Sequence, residues 1–410
     1  MNIAWHELDH IQKRGLLTAL ALWFLMQAGF FLLIPLLSIH YVDELGWAAA
    51  FIGLVLAVRQ FTQQGLTVFG GALADRFGAK GLILAGMTIR TASFVMMGFA
   101  TTKPLLMAAG ILAALGGSLF DSPSRAVVAA LAPEKMLPAI YARVGILQNA
   151  ARTIGPMLGA LLISVNFQIV GLAAAGFFFI GVLVTAVFLP NVSVSVGNAG
   201  VSKGLNIAFH DRAFLTYLVL MMGFWFMWVQ VSIALPLQAK ALTNSNSSVG
   251  ILLTVNAIAA LLLQIPALKL AQKYLKPLPM LTVGILIMAV GLGSVALVQS
   301  IWHLYAAIIF FALGTVLVMP NAQTVVATMA DPRARGAYMG VSSLSLAFGG
   351  GIGQVLGGTM VDVAANMNVP ALPWVVSAVI GTLAAIGLSY FYSRNATAVN
   401  TPKRVSYSGD

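Results

Sequence analysis

Residues 277–330 read PLPMLTVGILIMAVGLGSVALVQSIWHLYAAIIFFALGTVLVMPNAQTVVATMA, without one Asp, Glu, Lys or Arg. A single helical membrane crossing needs about 20 mostly apolar residues to span roughly 30 Å of hydrocarbon. This stretch is long enough for two crossings. Working outward, residues 153–202 are equally free of charge, as are 213–239, 241–268, 336–361 and 363–393. The whole chain of 410 residues is 60% hydrophobic and 8% charged. Soluble domains carry about 25% charged residues, so this chain cannot cover a water-facing surface of its own size. Its solvent is lipid.

Hydropathy and turn residues predict helices near 15–40, 47–73, 81–100, 104–130, 139–164 and 168–190. A second set follows near 213–238, 248–270, 278–300, 304–330, 336–362 and 371–393. The expected fold is therefore all-α and membrane-spanning, with twelve helices in two pseudo-symmetric bundles of six. The domain reading is a first bundle over 1–190, a polar cytoplasmic linker over 191–211, a second bundle over 212–394 and a cytoplasmic tail over 395–410. The first apolar run, Gly15 to Ile39, is too long for a signal-peptide core and lacks a small-residue cleavage site, so it reads as the first helix.

The net charge of +11 does not point to nucleic acid, because the basic residues form no stripe. They sit in short interhelical segments, where they set topology. Sixteen fall on one side: Lys13, Arg14, Arg76, Lys80, Lys135, Arg143, Lys203, Arg212, Lys269, Lys273, Lys276, Arg333, Arg335, Arg394, Lys403 and Arg404. Lys103 and Lys240 alone fall on the other. Both termini are therefore expected in the cytoplasm, and the protein in the inner (plasma) membrane. Cysteine is absent, which excludes disulfides, thiolate catalysis and thiolate metal sites. The five histidines are scattered near helix ends, and no phosphate loop or nucleophile elbow occurs. No metal, no cofactor and no enzymatic activity are expected.

The halves look like copies. Leu73-Ala74-Asp75-Arg76-Phe77 returns as Leu270-Ala271-Gln272-Lys273-Tyr274, an offset of 197 that also relates Pro123 to Pro320 and Tyr141 to Tyr338. One residue more aligns Gly155 and Gly159 with Gly353 and Gly357. Duplicated six-helix halves are a transporter design, with the substrate site expected between the repeats.

Between the second and third predicted helices stands Gly71-Ala72-Leu73-Ala74-Asp75-Arg76-Phe77-Gly78-Ala79-Lys80. It resembles motif A of the major facilitator superfamily, G-x-L-A-D-R-x-G-R-[KR], with Ala79 in place of an arginine. The resemblance implies a latch of the outward-facing state built from Gly71, Asp75, Arg76, Gly78 and Lys80. In it Asp75 faces the start of the eleventh helix, and Arg76 and Lys80 stay at the cytoplasmic surface. Gly155-Pro156-Met157-Leu158-Gly159-Ala160 resembles the end of motif C, which in that family accompanies proton-driven antiport. Gly155, Pro156 and Gly159 are its residues here, and small residues at these places also favour close helix packing. The resemblance spans the chain and is strongest to the twelve-helix drug:proton antiporter branch, in particular the bacterial multidrug-resistance protein H group. It implies a small-molecule substrate and protons as partners, in a lipid bilayer, with the protein acting as a monomer.

Ionisable residues within the hydrocarbon are functional candidates. They are Arg59, Arg90, Asp121, Arg125 and Arg152, all in the first half. Depth arithmetic puts Arg90 and Asp121 at about 14–15 Å from the same membrane face, and Asp121 and Arg125 are four apart on one helix face. Two readings stand: Asp121 with Arg90 and Arg125 forms the proton-coupling group, or Asp121 is their permanent counter-ion. The first helix has no carboxylate, only Gln27. Asp43, Glu44 and Asp362 fall near outer helix ends and are expected to be solvated. Arginine-rich and carboxylate-poor, a cavity with Arg59 and Arg152 favours a neutral, zwitterionic or anionic substrate. A polycarboxylate siderophore is one example. For Arg152, hydrogen bonding to carbonyls or to Asn149 is the plainer alternative. Trp225, Trp228, Gln230 and Asn256 are further candidates for the cavity wall, although such residues commonly just pack. Pro35 and Pro236 predict local bends.

Overall fold

The computed structural model describes residues 8–133, 136–192, 201–245, 247–331 and 334–400. Side chains are described for all of these except 68–76, 138, 142, 201–203, 335–336 and 396–400. The described chain is helical, and among these residues no strand occurs. The long helices of the first half are α1 (His10–Leu33), α2 (Ala49–Phe77), α3 (Ala79–Phe99), α4 (Lys103–Leu131), α5 (Leu137–Ile163) and α6 (Phe167–Phe188). A short helix α7 (Val201–His210) leads into α8 (Arg212–Trp228), α9 (Ala234–Thr243), α10 (Ser247–Tyr274) and α11 (Pro277–Ser294). The chain continues through α12 (Ile301–Met329), α13 (Arg335–Ser345), α14 (Gly351–Met367) and α15 (Leu372–Asn400).

Several boundaries follow from local chemistry. Asp9 and Gln12 form a capping box at α1, Asn166 caps α6 and Asp211 caps α8. Each side-chain oxygen accepts one of the N–H groups that a helix start leaves free. Gly78 joins α2 to α3 at φ +77°, a conformation that L side chains rarely adopt. Asn244 and Asn368 end α9 and α14 in the left-handed region. The expected bends are present. Pro35 lies in a 3-10 turn over Ile34–Leu36, and Pro236 follows the break at Ile233 (φ −132°, ψ −69°) between α8 and α9.

Helices fuse into longer spans across these bends. By length and composition, ten spans among the described residues suit a membrane crossing, including His10–Glu44, Arg212–Thr243 and Ala337–Met367. The first thus begins five residues earlier than the apolar pattern suggested, because the capping box starts the helix within a polar segment. The helices α2 and α5 are as long, at 29 and 27 residues. They are more polar, with Arg59, Gln60, Gln63 and Gln64 in one and Arg143 and Arg152 in the other.

The chain groups into two compact units. One takes Met1–Gly46, Val58–Val196 and Ser245–Thr254; the other takes Trp47–Ala57, Gly197–Asn244 and Val255–Asp410. Within each unit the same helix crossings recur. A Cβ on Gly86 (α3) would lie 2.6 Å from the Gly116 carbonyl oxygen (α4), and one on Gly116 would lie 2.6 Å from that of Gly86. Gly284 (α11) and Gly314 (α12), each 198 residues on, face each other the same way at 2.9 and 2.5 Å. Gly155 and Gly159 of α5 sit on Ala28 and Leu32 of α1, while Gly353 and Gly357 of α14 sit on Phe226 and Gln230. Every partner again differs by 198. The sequence repeat is therefore a repeat of close helix contacts, which only glycine permits at such distances.

Candidate functional site

The polar cluster of the first unit is built on α2, α3 and α4. Arg59 lies one turn before Gln63 on α2 and donates Nη1–H to Gln63 Oε1 at 2.9 Å and Nη2–H to Gln60 Oε1 at 2.9 Å. Arg90 of α3 donates to the same Gln63 oxygen at 3.2 Å. Gln63 in turn donates Nε2–H to Asp121 Oδ2 of α4 at 2.9 Å. The amide orientation is fixed by chemistry: its oxygen faces two cationic donors and its nitrogen faces a carboxylate. Arg59 and Arg90 are buried, at 6% and 3% exposure, whereas Asp121 is half-buried.

Arg90 and Asp121 are thus linked, but through Gln63 and not directly. Among the described residues no arginine nitrogen reaches salt-bridge distance of the Asp121 carboxylate. Arg125 is exposed, and its guanidinium lies 5.9 Å from the Trp23 ring centre. Gln63 was missed in the sequence because a neutral amide carries no charge signal. The one available clue was its spacing of four from Arg59. Gly117 was missed likewise. A Cβ there would lie 2.3 Å from Arg90 Nη2 and 2.7 Å from Gln63 Cδ, so the bare backbone makes room for the network.

An aromatic ladder on α1 holds the cations. Phe30 lies 4.8 Å from the Arg59 guanidinium and 5.7 Å from that of Arg90, Phe178 of α6 lies 5.5 Å from Arg90, and Phe31 lies 5.5 Å from Arg152. Cation–π contact is worth about 2 kcal/mol when desolvated, which helps to keep guanidinium groups in apolar surroundings. It leaves their hydrogens incompletely used. The Nε atoms of Arg59, Arg90 and Arg152 are buried with no hydrogen-bond partner among the described residues. Gln27 and Asn149 are half-buried; Asn149 accepts the Thr153 hydroxyl at its backbone oxygen.

The candidates of the second half do not join into one cluster. Trp225 donates Nε1–H to the Ser345 hydroxyl at 3.2 Å and meets Trp228 edge-on at 5.6 Å. Gln230 is buried and donates Nε2–H to the backbone oxygens of Phe226 (2.9 Å) and Gly353 (3.1 Å). It is thus part of helix packing. Asn256 is half-buried, with Oδ1 unpartnered among the described residues.

The side chains of Gly71, Asp75 and Arg76 lie outside the described residues. Of the motif, Gly78 forms the positive-φ joint and Lys80 donates to the Ala186 carbonyl at 3.0 Å. Arg14 donates to the neighbouring Val187 carbonyl. Two cations therefore satisfy the carbonyls that end α6, where the helix dipole is negative. Asp362 differs from expectation: it is not solvated but half-buried, bound to the start of α2, because that helix end offers two free N–H groups.

Long apolar helices repeated about glycine crossings, with the buried cations of the described residues in the first repeat, define a multi-pass membrane transporter. The chain belongs to the major facilitator superfamily: the model of the "Major Facilitator Superfamily" matches residues 19–241 and again 213–406. It is similar to "Multidrug resistance protein MdtH" of Enterobacter sp. (strain 638), at 37% identity over 91% of this chain and 93% of that protein. The protein of the same name from Photorhabdus laumondii subsp. laumondii is 37% identical over 89% of this chain and 91% of that protein. Among solved structures, the D-xylose-proton symporter superposes with a TM-score of 0.76 at 13% identity, covering 92% of this chain and 97% of that one. The nucleoside transporter NupG gives 0.75 at 14% identity, covering 94% and 99%. These two share the fold.

Proposed function

We propose that the protein is a proton-coupled exporter of a small organic molecule, working by alternating access from the inner membrane with both termini in the cytoplasm. The observation that carries this reading is the Asp121–Gln63–Arg59/Arg90 network. It places one half-buried carboxylate in hydrogen-bonded continuity with two buried cations. In this reading Asp121 takes and releases the proton, and Gln63 passes the change in charge to the arginines. Arg59 and Arg152, with Gln27, Asn149, Trp225, Trp228 and Asn256, contact the substrate. Motif A latches one state and the glycine seam of motif C serves antiport. The protein acts as a monomer and needs no nucleic acid. Export would account for the multidrug resistance after which the MdtH relatives are named.

The substrate is neutral, zwitterionic or anionic, because buried guanidinium groups without a paired carboxylate repel lipophilic cations. The unpartnered Nε atoms of Arg59 and Arg152 favour a second reading, transport of a polycarboxylate siderophore or similar metabolite in either direction. The test is substrate-triggered pH change inside proteoliposomes, with cationic dyes, neutral drugs and polycarboxylates, for the wild type and Asp121→Asn. The expected result is proton movement with neutral or anionic compounds, lost in Asp121→Asn while substrate exchange persists. Movement with cationic dyes alone sinks the substrate reading. Coupling that survives in Asp121→Asn makes Asp121 a permanent counter-ion.

A further inference from the structure

The helix α2 is shared between the two compact units: its residues 49–57 pack in the second and those from Val58 onward in the first. Several contacts at its first turn are made by backbone atoms. Asp362 of α14 accepts the Ala49 N–H at Oδ1 (2.9 Å) and the Ala50 N–H at Oδ2 (2.7 Å). One turn earlier on α14, a Cβ on Gly358 would lie 2.2 Å from the Ala49 oxygen. One turn earlier again, a Cβ on Gly53 would lie 2.1 Å from the Gln354 oxygen. Residues 354, 358 and 362 share one face of α14, and 49 and 53 share one face of α2.

Two properties follow. Glycine on both sides lets the helix backbones touch at these points, where they can part and rejoin with no side chain between them. The polar tie is a strong one: a carboxylate with both oxygens on N–H groups at a helix start, where the dipole favours negative charge. The Gln354 Oε1 beside this seam is buried without a partner among the described residues. That is a polar group left over in this arrangement.

We propose that Asp362 is a releasable clasp, which holds the first turn of α2 on α14 and lets go of it during the transport cycle. The chain has no cysteine, so single introduced thiols report on it without background. Ala49→Cys places a thiol in the seam, at a position with 0% exposure; Ala109→Cys in α4, also at 0%, is the control. Each is measured in the full-length purified protein by its rate of reaction with a charged maleimide. Asp362→Asn keeps one acceptor and loses the other with the charge. It should speed labelling at position 49 about fivefold, equivalent to about 1 kcal/mol for a lost cap, and leave position 109 unchanged. Asp362→Glu should restore the slow rate. Gly358→Ala, which leaves the carboxylate in place and sets a methyl group against the Ala49 oxygen, should open the same seam. Two results overturn the proposal. Unchanged labelling at position 49 in both Asp362→Asn and Gly358→Ala means that the seam is held by something else. A parallel rise at positions 49 and 109 means that Asp362 only stabilises the fold.

Discussion

Arg90 in the first half and Met288 in the second occupy the same point of the same helix crossing. A Cβ on Gly116 would lie 2.7 Å from the Arg90 side chain, and one on Gly314 would lie 2.7 Å from the Met288 side chain, with both pairs 198 residues apart. Beside Met288 the hydroxyl of Thr315 approaches the thioether sulfur at 3.9 Å, where the first half has Gly117 and a guanidinium. Duplication thus kept the crossing and changed its cargo. At this crossing the first half carries a charge and the second a thioether.

The pair gives a first prediction. Since methionine already packs in the equivalent crossing, Arg90→Met should fold, with a melting temperature within about 4 °C of the wild type. Proton-coupled transport should fall at least about tenfold, because Gln63 loses one of its two cationic donors. Thermal unfolding in detergent and substrate-triggered pH change in vesicles measure the two quantities. Coupled transport at the wild-type rate would show that Arg90 is only a relic of packing.

Gln63 is the joint between Asp121 and the arginines, and two substitutions separate its roles. Gln63→Leu removes an acceptor from both guanidinium groups and a donor from Asp121. Each buried group left unsatisfied costs about 1–3 kcal/mol, so both stability and coupling should drop. Gln63→Glu keeps the acceptor for Arg59 and Arg90 and removes the donor to Asp121. It should hold the melting temperature and still lose coupling. If Gln63→Glu couples normally, the carboxylate does not communicate through this amide.

Gly117 allows a sharper test, because its effect on function should far exceed its effect on stability. Alanine in a helix interior is favoured over glycine by about 1 kcal/mol. The nearest atoms to the added methyl are ends of the Arg90 and Gln63 side chains, at 2.3 and 2.7 Å, and moving them displaces a hydrogen bond worth about 1 kcal/mol. The two terms nearly cancel, so Gly117→Ala should melt within about 4 °C of the wild type while coupled transport falls about tenfold, the scale of about 1.4 kcal/mol. Gly145→Ala, where a Cβ meets nothing within 4 Å, should raise the melting temperature through the same propensity gain and leave coupled transport unchanged.

Much of this was legible in the sequence, for physical reasons that also mark where legibility ends. Hydrocarbon demands long uncharged runs, so the helices between Ala79 and Ala371 announce themselves, and the offset of 197–198 foretells the repeated crossings. Arg59, Arg90 and Asp121 stand out because charge in lipid is costly. Gln63 and Gly117 do not stand out. One is an ordinary polar residue until its partners on α3 and α4 are known, and the other matters only for the atom that it lacks. Asp362 misled for the converse reason: a carboxylate near a helix end looks solvated until another helix start is found against it.

Gln230 shows the same distinction in the second half, where an amide near the proposed cavity looked like a ligand contact. Its Nε2 joins the Phe226 and Gly353 backbone oxygens, and its oxygen would collide with a Cβ on Gly357 at 2.5 Å. The side chain therefore fills the α8–α14 crossing, where the equivalent position in the first half is the apolar Leu32 beside Gly159. Gln230→Leu places there the residue type that the first repeat already uses. It should lower stability by about 1 kcal/mol through the lost hydrogen bonds and leave the apparent KM for substrate unchanged. Initial transport rates over a range of substrate concentrations, beside a melting curve, decide the matter. A raised KM with an unchanged melting temperature would return Gln230 to the binding site, and the bonds to Phe226 and Gly353 would then belong to one state of the cycle only.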